Sequence, residues 1–159
     1  MNVITTQHLM KVYTDASVSV KAVNDVSIDI KQGEFTAIVG PSGSGKTTLL
    51  NIIGGLDRPT SGSVKVGDTE LNGMSENELI DFRLYNIGFV FQSYNLIPVL
   101  TAKENAEFIM LLQKKNIKER NERVMKLLDE VGIKEQANKR PGEMSGGQQQ
   151  RVAVARALA

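Results

Sequence analysis

Cysteine and tryptophan are absent from these 159 residues, and histidine occurs once, as His8. Without cysteine there can be no disulfides, no thiolate metal sites and no cysteine nucleophile, and a lone histidine makes zinc chemistry untenable. No run of apolar residues approaches the roughly 18 that a membrane-crossing helix needs. The stretch from Met1 to Met10 lacks both the basic and the apolar parts of a secretory signal. A cytoplasmic chain with no direct membrane insertion is expected, so any membrane association must run through a partner. Charge of one sign is also lacking. Nineteen Lys plus Arg against 18 Asp plus Glu leave a formal charge of +1, which excludes a broad electrostatic footprint for nucleic acid. An anion must therefore be gripped locally. What remains is ordinary globular material, 41% hydrophobic and 23% charged, enough for one domain or a domain with a small lobe.

Val26, Ile28 and Ile30 alternate with Ser27 and Asp29, the period of two that buries one face of a sheet, and Gln32-Gly33 then turns the chain. Phe35 to Val39 is a nearly all-apolar run, which predicts a central parallel strand covered on both faces, and Ile87 to Phe91 reads as another buried strand. Helical spacing from Gly45 to Ile53 stops at Gly54-Gly55, while Ser61-Gly62 and Gly67-Asp68 bracket a short strand around Val64 and Val66. Ser75 with Glu78, Thr101 with Glu104 and Ser145 with Gln148 have the spacing of a capping box, so each is expected to open a helix. Val124, Leu127, Leu128 and Val131 form an apolar helical stripe. Together these signals predict an α/β core over residues 1–91, a helical subdomain over 92–140 and a last helix within 141–159.

Gly40-Pro41-Ser42-Gly43-Ser44-Gly45-Lys46-Thr47 satisfies every specified position of the phosphate-binding pattern G-x-x-x-x-G-K-[ST]. Its glycines let successive amides turn inward around a phosphate, and the helix that follows adds the positive end of its dipole. Lys46 is expected to reach the β- and γ-phosphates, and the Thr47 hydroxyl to ligate Mg²⁺. A merely structural turn needs neither Lys46-Thr47 nor an apolar run ending at Gly40. Many phosphoryl-transfer classes share this loop, so alone it leaves kinases, GTPases, helicases and transporters open.

Met144-Ser145-Gly146-Gly147-Gln148-Gln149-Gln150-Arg151 narrows the choice. It resembles the signature motif of ABC transporter ATP-binding proteins, usually written LSGGQ, with Met in place of the initial Leu, a volume-conserving exchange. The order of landmarks, from an aromatic at Tyr13 through the phosphate loop and a Gln at position 92 to the signature, is similar to that family along the whole chain. The wording Phe89-Val90-Phe91-Gln92, with Asn95-Leu96-Ile97-Pro98 after it, resembles the lipoprotein-release and macrolide-export branch. Compact spacing from Gly40 to Ser145 fits transporter members better than relatives that act in DNA repair or translation.

The resemblance implies a P-loop NTPase core with N-terminal antiparallel strands, binding ATP and Mg²⁺ and coupling hydrolysis to transport. It implies that Tyr13 stacks on adenine, that Thr48 joins the loop in nucleotide contact, and that Gln92 touches Mg²⁺ and senses a transmembrane permease. It further implies a head-to-tail dimer in which Ser145, Gly146, Gly147 and Gln148 meet the ATP held by a second nucleotide-binding domain. Such a subunit sits on the inner face of the cell membrane through its partners. The family pattern continues with an apolar strand ending in Asp-Glu and then a switch histidine. Leu127 to Glu130 precedes the signature and lies in a helical stripe, and His8 precedes everything, so neither fills those roles. The expectation is therefore a truncated cassette, lacking the later strands of its sheet and a general base for water. A non-hydrolysing nucleotide-binding module is the alternative.

Overall fold

The computed structural model describes residues 1–15 and 18–159. The chain divides into two compact units, Met1–Asp81 and Phe82–Ala159. In the first, strands β1 (Asn2–Asp15) and β2 (Val18–Lys31) form a long antiparallel pair, and β1 also pairs with β3 (Ser61–Val66), which carries the short β4 (Thr69–Glu70). The order across the sheet is β2-β1-β3-β4. The alternation expected around Val26, Ile28 and Ile30 is present, with these three partly buried and their neighbours exposed. Between Thr6 and Leu9 the register slips. There Thr6, itself buried, donates its hydroxyl to Val26 O and accepts from Ile28 N, both at 3.1 Å, which restores bonds the slipped ladder loses. Helix α1 (Lys46–Ile53) lies on the sheet through buried Leu49, Ile52 and Ile53 and ends at Gly54, where the sequence places its stop.

Helix α2 (Glu76–Asn86) leads into the second unit, which is built on α3 (Ala102–Leu112), α4 (Ile117–Glu130) and α5 (Gly146–Leu158). Ala102 and Ala106 of α3, Val124, Leu127 and Leu128 of α4, and Val152 and Ala155 of α5 make its core. Each buried Val or Leu contributes roughly 1.5–3 kcal/mol, while the alanines allow helix backbones to approach closely. All three capping boxes form. Ser75 N and Oγ both donate to Glu78 Oε2 at 2.7 Å, Thr101 N donates to Glu104 Oε2 at 2.7 Å, and Ser145 N donates to Gln148 Oε1 at 2.9 Å. Leu127 to Glu130 is helical, as the stripe requires.

Two expected strands are not strands. Residues 35–39 and 87–91 pair with no neighbour among the described residues. Phe35 is 98% exposed and Val39 86%. The physical reason is that an apolar run states a preference for burial, whereas a parallel strand exists only when hydrogen-bonded chains flank it. Segment 87–91 still keeps strand-like alternation. Phe89 and Phe91 stack with ring centroids 5.7 Å apart and planes 9° from parallel, and a side chain at Gly88 would overlap the Ala157 carbonyl of α5.

Candidate functional site

The phosphate-binding loop runs from the extended segment at residues 35–39 into α1. Ser44 N donates to Pro41 O at 3.3 Å, closing a turn, and Gly43 and Gly45 take φ of 79° and 85°, left-handed values that favour glycine. Gly45 is further constrained, because any side chain there would overlap the Ala22 carbonyl oxygen of β2. It also stands at the N-cap of α1 with no side chain to satisfy the helix start. Among the described residues, the amides of Gly43, Gly45, Lys46, Thr47 and Thr48 donate to nothing. Such bare amides add to the dipole's positive end.

Lys46 folds back over this loop. Its ammonium donates to Gly40 O at 2.8 Å, Pro41 O at 2.6 Å and Ser44 Oγ at 3.3 Å. These acceptors are all uncharged, and among the described residues no carboxylate forms a salt bridge with Lys46. An uncompensated cation and a run of unpaired amides thus share one short loop. That donor set suits a polyphosphate anion. For a metal the loop supplies hydroxyl oxygens and no carboxylate, the Thr47 hydroxyl among them; no cluster of three or more His, Asp or Glu gathers among the described residues, so phosphate oxygens would have to complete a Mg²⁺ shell.

Tyr13 lies at the far end of β1, 44% exposed. Its hydroxyl donates to Asp57 Oδ2 at 2.6 Å, and Lys11 Nζ sits 4.8 Å from its ring centroid. The bond to Asp57 raises the phenol's pKa, burial adds to the rise, and the nearby Thr48 side chain opposes it. Thr48 belongs to α1, so the aromatic and the loop helix are neighbours. Burial alone would push Asp57 up, but the hydrogen bonds from Lys11, Tyr13 and the Arg58 amide outweigh it, and the carboxyl ends below its ordinary value. Lys11 and Asp57 were not singled out by motif. For Lys11 the signal is spacing, since it stands two residues before Tyr13 and so shares its strand face; Asp57 has none.

In the second unit Gln92 is exposed, at the end of segment 87–91. Just beyond it Tyr94 and Asn95 adopt φ of 60° and 46°. Their carbonyls accept from Arg156 of α5 at 2.6 and 2.7 Å, and burial lowers the guanidinium's pKa. Asn105, buried on α3, holds the next stretch: its Oδ1 accepts from Ile97 N at 2.7 Å and its Nδ2 donates to Ile97, Leu100 and Thr101 carbonyls at 3.0–3.1 Å. At the start of α5 the Ser145 hydroxyl caps Gln148 N at 3.3 Å, while a side chain at Gly146 or Gly147 would meet open space. Gln149 anchors the turn before it through Pro141 O and Met144 O. The structure thus groups Tyr13, residues 40–48 and Lys46 in one unit, and Gln92 with Ser145 to Gln148 in the other.

A phosphate-binding loop at the head of a helix beside an antiparallel sheet, with a capped glycine-rich helix start in a helical unit, defines an ATP-binding cassette. Residues 23–159 match the ABC transporter family model, and the chain belongs to that family. It is 50% identical over 149 residues to an uncharacterised ABC transporter ATP-binding protein of Thermotoga maritima, covering 94% of this chain and 64% of that protein. It is 41% identical to the lipoprotein-releasing system ATP-binding protein LolD of Legionella pneumophila, covering 98% of this chain and 69% of LolD. Among solved structures, the dimeric, post-hydrolysis ATP-binding cassette MJ0796 bound to ADP and phosphate superposes with a TM-score of 0.91 at 44% identity. That superposition covers 98% of this chain and 69% of the cassette. The chain therefore spans about two thirds of the length of these relatives. Among the described residues no helix is long and apolar enough to cross a membrane.

Proposed function

We propose that the chain is the ATP-gripping portion of the nucleotide-binding subunit of an ABC transporter of the export or lipoprotein-release kind. The observation that carries this reading is the pairing of unsatisfied amides at Gly43 and at residues 45–48 with the uncompensated Lys46 ammonium. When bound, Mg-ATP supplies the phosphoryl group whose hydrolysis drives transport. The chain's own residues bind and orient it. The free amides of Gly43 and of residues 45–48 donate to the polyphosphate oxygens, the Lys46 ammonium exchanges its three loop acceptors for phosphate oxygens and adds a point charge, and the Thr47 hydroxyl offers an oxygen to the metal. Tyr13 presents a flat ring for the base, and the Thr48 side chain of the loop helix neighbours its hydroxyl.

Gln92 as a metal contact and permease sensor, and Ser145, Gly146, Gly147 and Gln148 as ligands to ATP held by a second copy, enter this reading through the family pattern. The open space at Gly146 and Gly147 supports the latter role, since a phosphate could approach the helix start closely. The Ser145 hydroxyl accepts from Gln148 N with one lone pair and keeps its proton to donate. Partner permeases would hold the subunit at the inner membrane face.

The test is a nucleotide titration of the chain and its Lys46→Ala variant, with phosphate release measured alongside. ATP affinity should fall at least about tenfold in the variant, the loss of one charge-assisted contact of 1.5–3 kcal/mol. Unchanged affinity would refute the assignment. Phosphate release by the chain that Lys46→Ala abolishes supports turnover, and binding without release supports a non-hydrolysing module.

A further inference from the structure

We propose that Lys11 and Asp57 are a positioning pair that holds Tyr13 so that a nucleotide base can stack on one face of its ring and not the other. This rests on the ATP-binding reading above. One carboxylate bridges the two side chains: Asp57 Oδ1 accepts from Lys11 Nζ at 2.6 Å and Oδ2 from the Tyr13 hydroxyl at 2.6 Å. Lys11 is fixed again by Arg58 O at 2.7 Å, and its ammonium then lies 4.8 Å from the ring centroid. Lys11 and Asp57 are largely sheltered, with side chains 14% and 28% exposed, whereas Tyr13 is 44% exposed. One face of the ring therefore backs onto a cation, and the open surface belongs to the other.

The origin of the anchor matters. Asp57 follows α1 by four residues, and the loop that carries it is tied to β1 by Thr60 N donating to Met10 O at 2.8 Å and by Val12 N donating to Thr60 Oγ1 at 2.9 Å. The helix whose first turn forms the phosphate loop thus ends in the segment that orients the aromatic. Base and phosphate contacts are joined by one short stretch of chain, α1 and the loop that follows it. A ring held at its hydroxyl and backed by an ammonium has its rotamer fixed before a base arrives, which lowers the ordering cost of stacking.

The chain is titrated with ATP and with inorganic triphosphate, comparing Tyr13→Phe, Lys11→Met and Tyr13→Ala. Tyr13→Phe keeps the ring and removes its anchor; Lys11→Met keeps the aliphatic stem and removes the cation. Each should weaken ATP about threefold to tenfold, the range for one newly freed side chain, and leave triphosphate affinity unchanged. Tyr13→Ala should lose at least as much for ATP. Wild-type ATP affinity in Tyr13→Phe and Lys11→Met, with a loss in Tyr13→Ala, overturns the positioning pair and leaves base stacking standing. Equal losses for ATP and triphosphate overturn it too, because they reveal a structural role alone. If Tyr13→Ala binds ATP normally while Lys46→Ala does not, stacking fails and the proposal with it; if neither variant matters, the ATP-binding reading itself has failed. Circular dichroism monitors folding, and Tyr13→Phe decides the matter should Lys11→Met unfold.

Discussion

Alanine at Gly43 and alanine at Gly45 should differ sharply, although the two positions lie in one loop with nearly the same φ, 79° and 85°. Forcing a side-chain-bearing residue into the left-handed region costs about 1–2 kcal/mol, and the reduced freedom of the unfolded chain returns roughly 0.4–1 kcal/mol of that. A methyl group at Gly43 meets nothing within 4 Å, so Gly43→Ala should cost on the order of 1 kcal/mol and leave the loop in place. At Gly45 the same methyl overlaps the Ala22 carbonyl oxygen, part of the β2 backbone. Backbone cannot rotate aside as a side chain can, so strand and loop must part by about 1 Å in a close-packed region. Overpacking of that kind costs about 1–3 kcal/mol on top of the backbone strain. Calorimetric ATP titration and thermal unfolding of both variants provide the comparison. Gly43→Ala should bind ATP within about tenfold of the parent, and Gly45→Ala should lose on the order of 100-fold or fail to fold. Indistinguishable variants in both measurements would refute the geometry.

Asn105→Ala leaves the Ile97 amide and the Leu100 carbonyl without a partner, while Ile97 O and Thr101 O keep the Leu100 and Asn105 amides, so a loss of roughly 2–4 kcal/mol is expected by urea unfolding; under about 1 kcal/mol would contradict the role given to this side chain. Glu78 and Glu104 have carboxyls held below the ordinary value, chiefly by the backbone amides of Ser75 and Thr101. Because their folded pKa is depressed, the stability they add is present above the unfolded carboxylate range and is lost as pH falls through the folded value. Thermal midpoints scanned downward through the acid range should therefore drop more steeply in the parent than in a Glu78→Gln, Glu104→Gln double variant. Arg156→Met should speed amide exchange over residues 93–97 while far-ultraviolet dichroism stays the same, since it frees two left-handed residues that each cost about 1–2 kcal/mol; slow exchange there would show that Arg156 is not what holds them.

Local chemistry was the legible part of the sequence. Ser75, Thr101 and Ser145 each announced a helix because a capping box is completed within four residues, and α1 could be bounded by Gly45 and Gly54 because a glycine stop is equally local. The phosphate loop was readable because its glycines, lysine and threonine are contiguous. Phe35 to Val39 and Ile87 to Phe91 misled, since a strand depends on neighbours remote in sequence and apolarity says nothing of whether they are present. The Lys11–Tyr13–Asp57 cluster escaped notice too. Its members are separated by 44 residues between Tyr13 and Asp57, and no periodicity spans that distance. Arg156 was hidden for a similar reason: arginine on a surface-like helix position does not disclose that two carbonyls 61 and 62 residues earlier wait for it.

The unpaired stretch at residues 35–39 leads straight into Gly40, so the phosphate loop hangs from backbone with no lateral support among the described residues. What fixes the loop in place is on its other side: the close approach of Gly45 to the Ala22 carbonyl of β2 and the seat of α1 on the sheet through Leu49, Ile52 and Ile53, so a change in β2 should be felt at the nucleotide before one in the segment that precedes the loop.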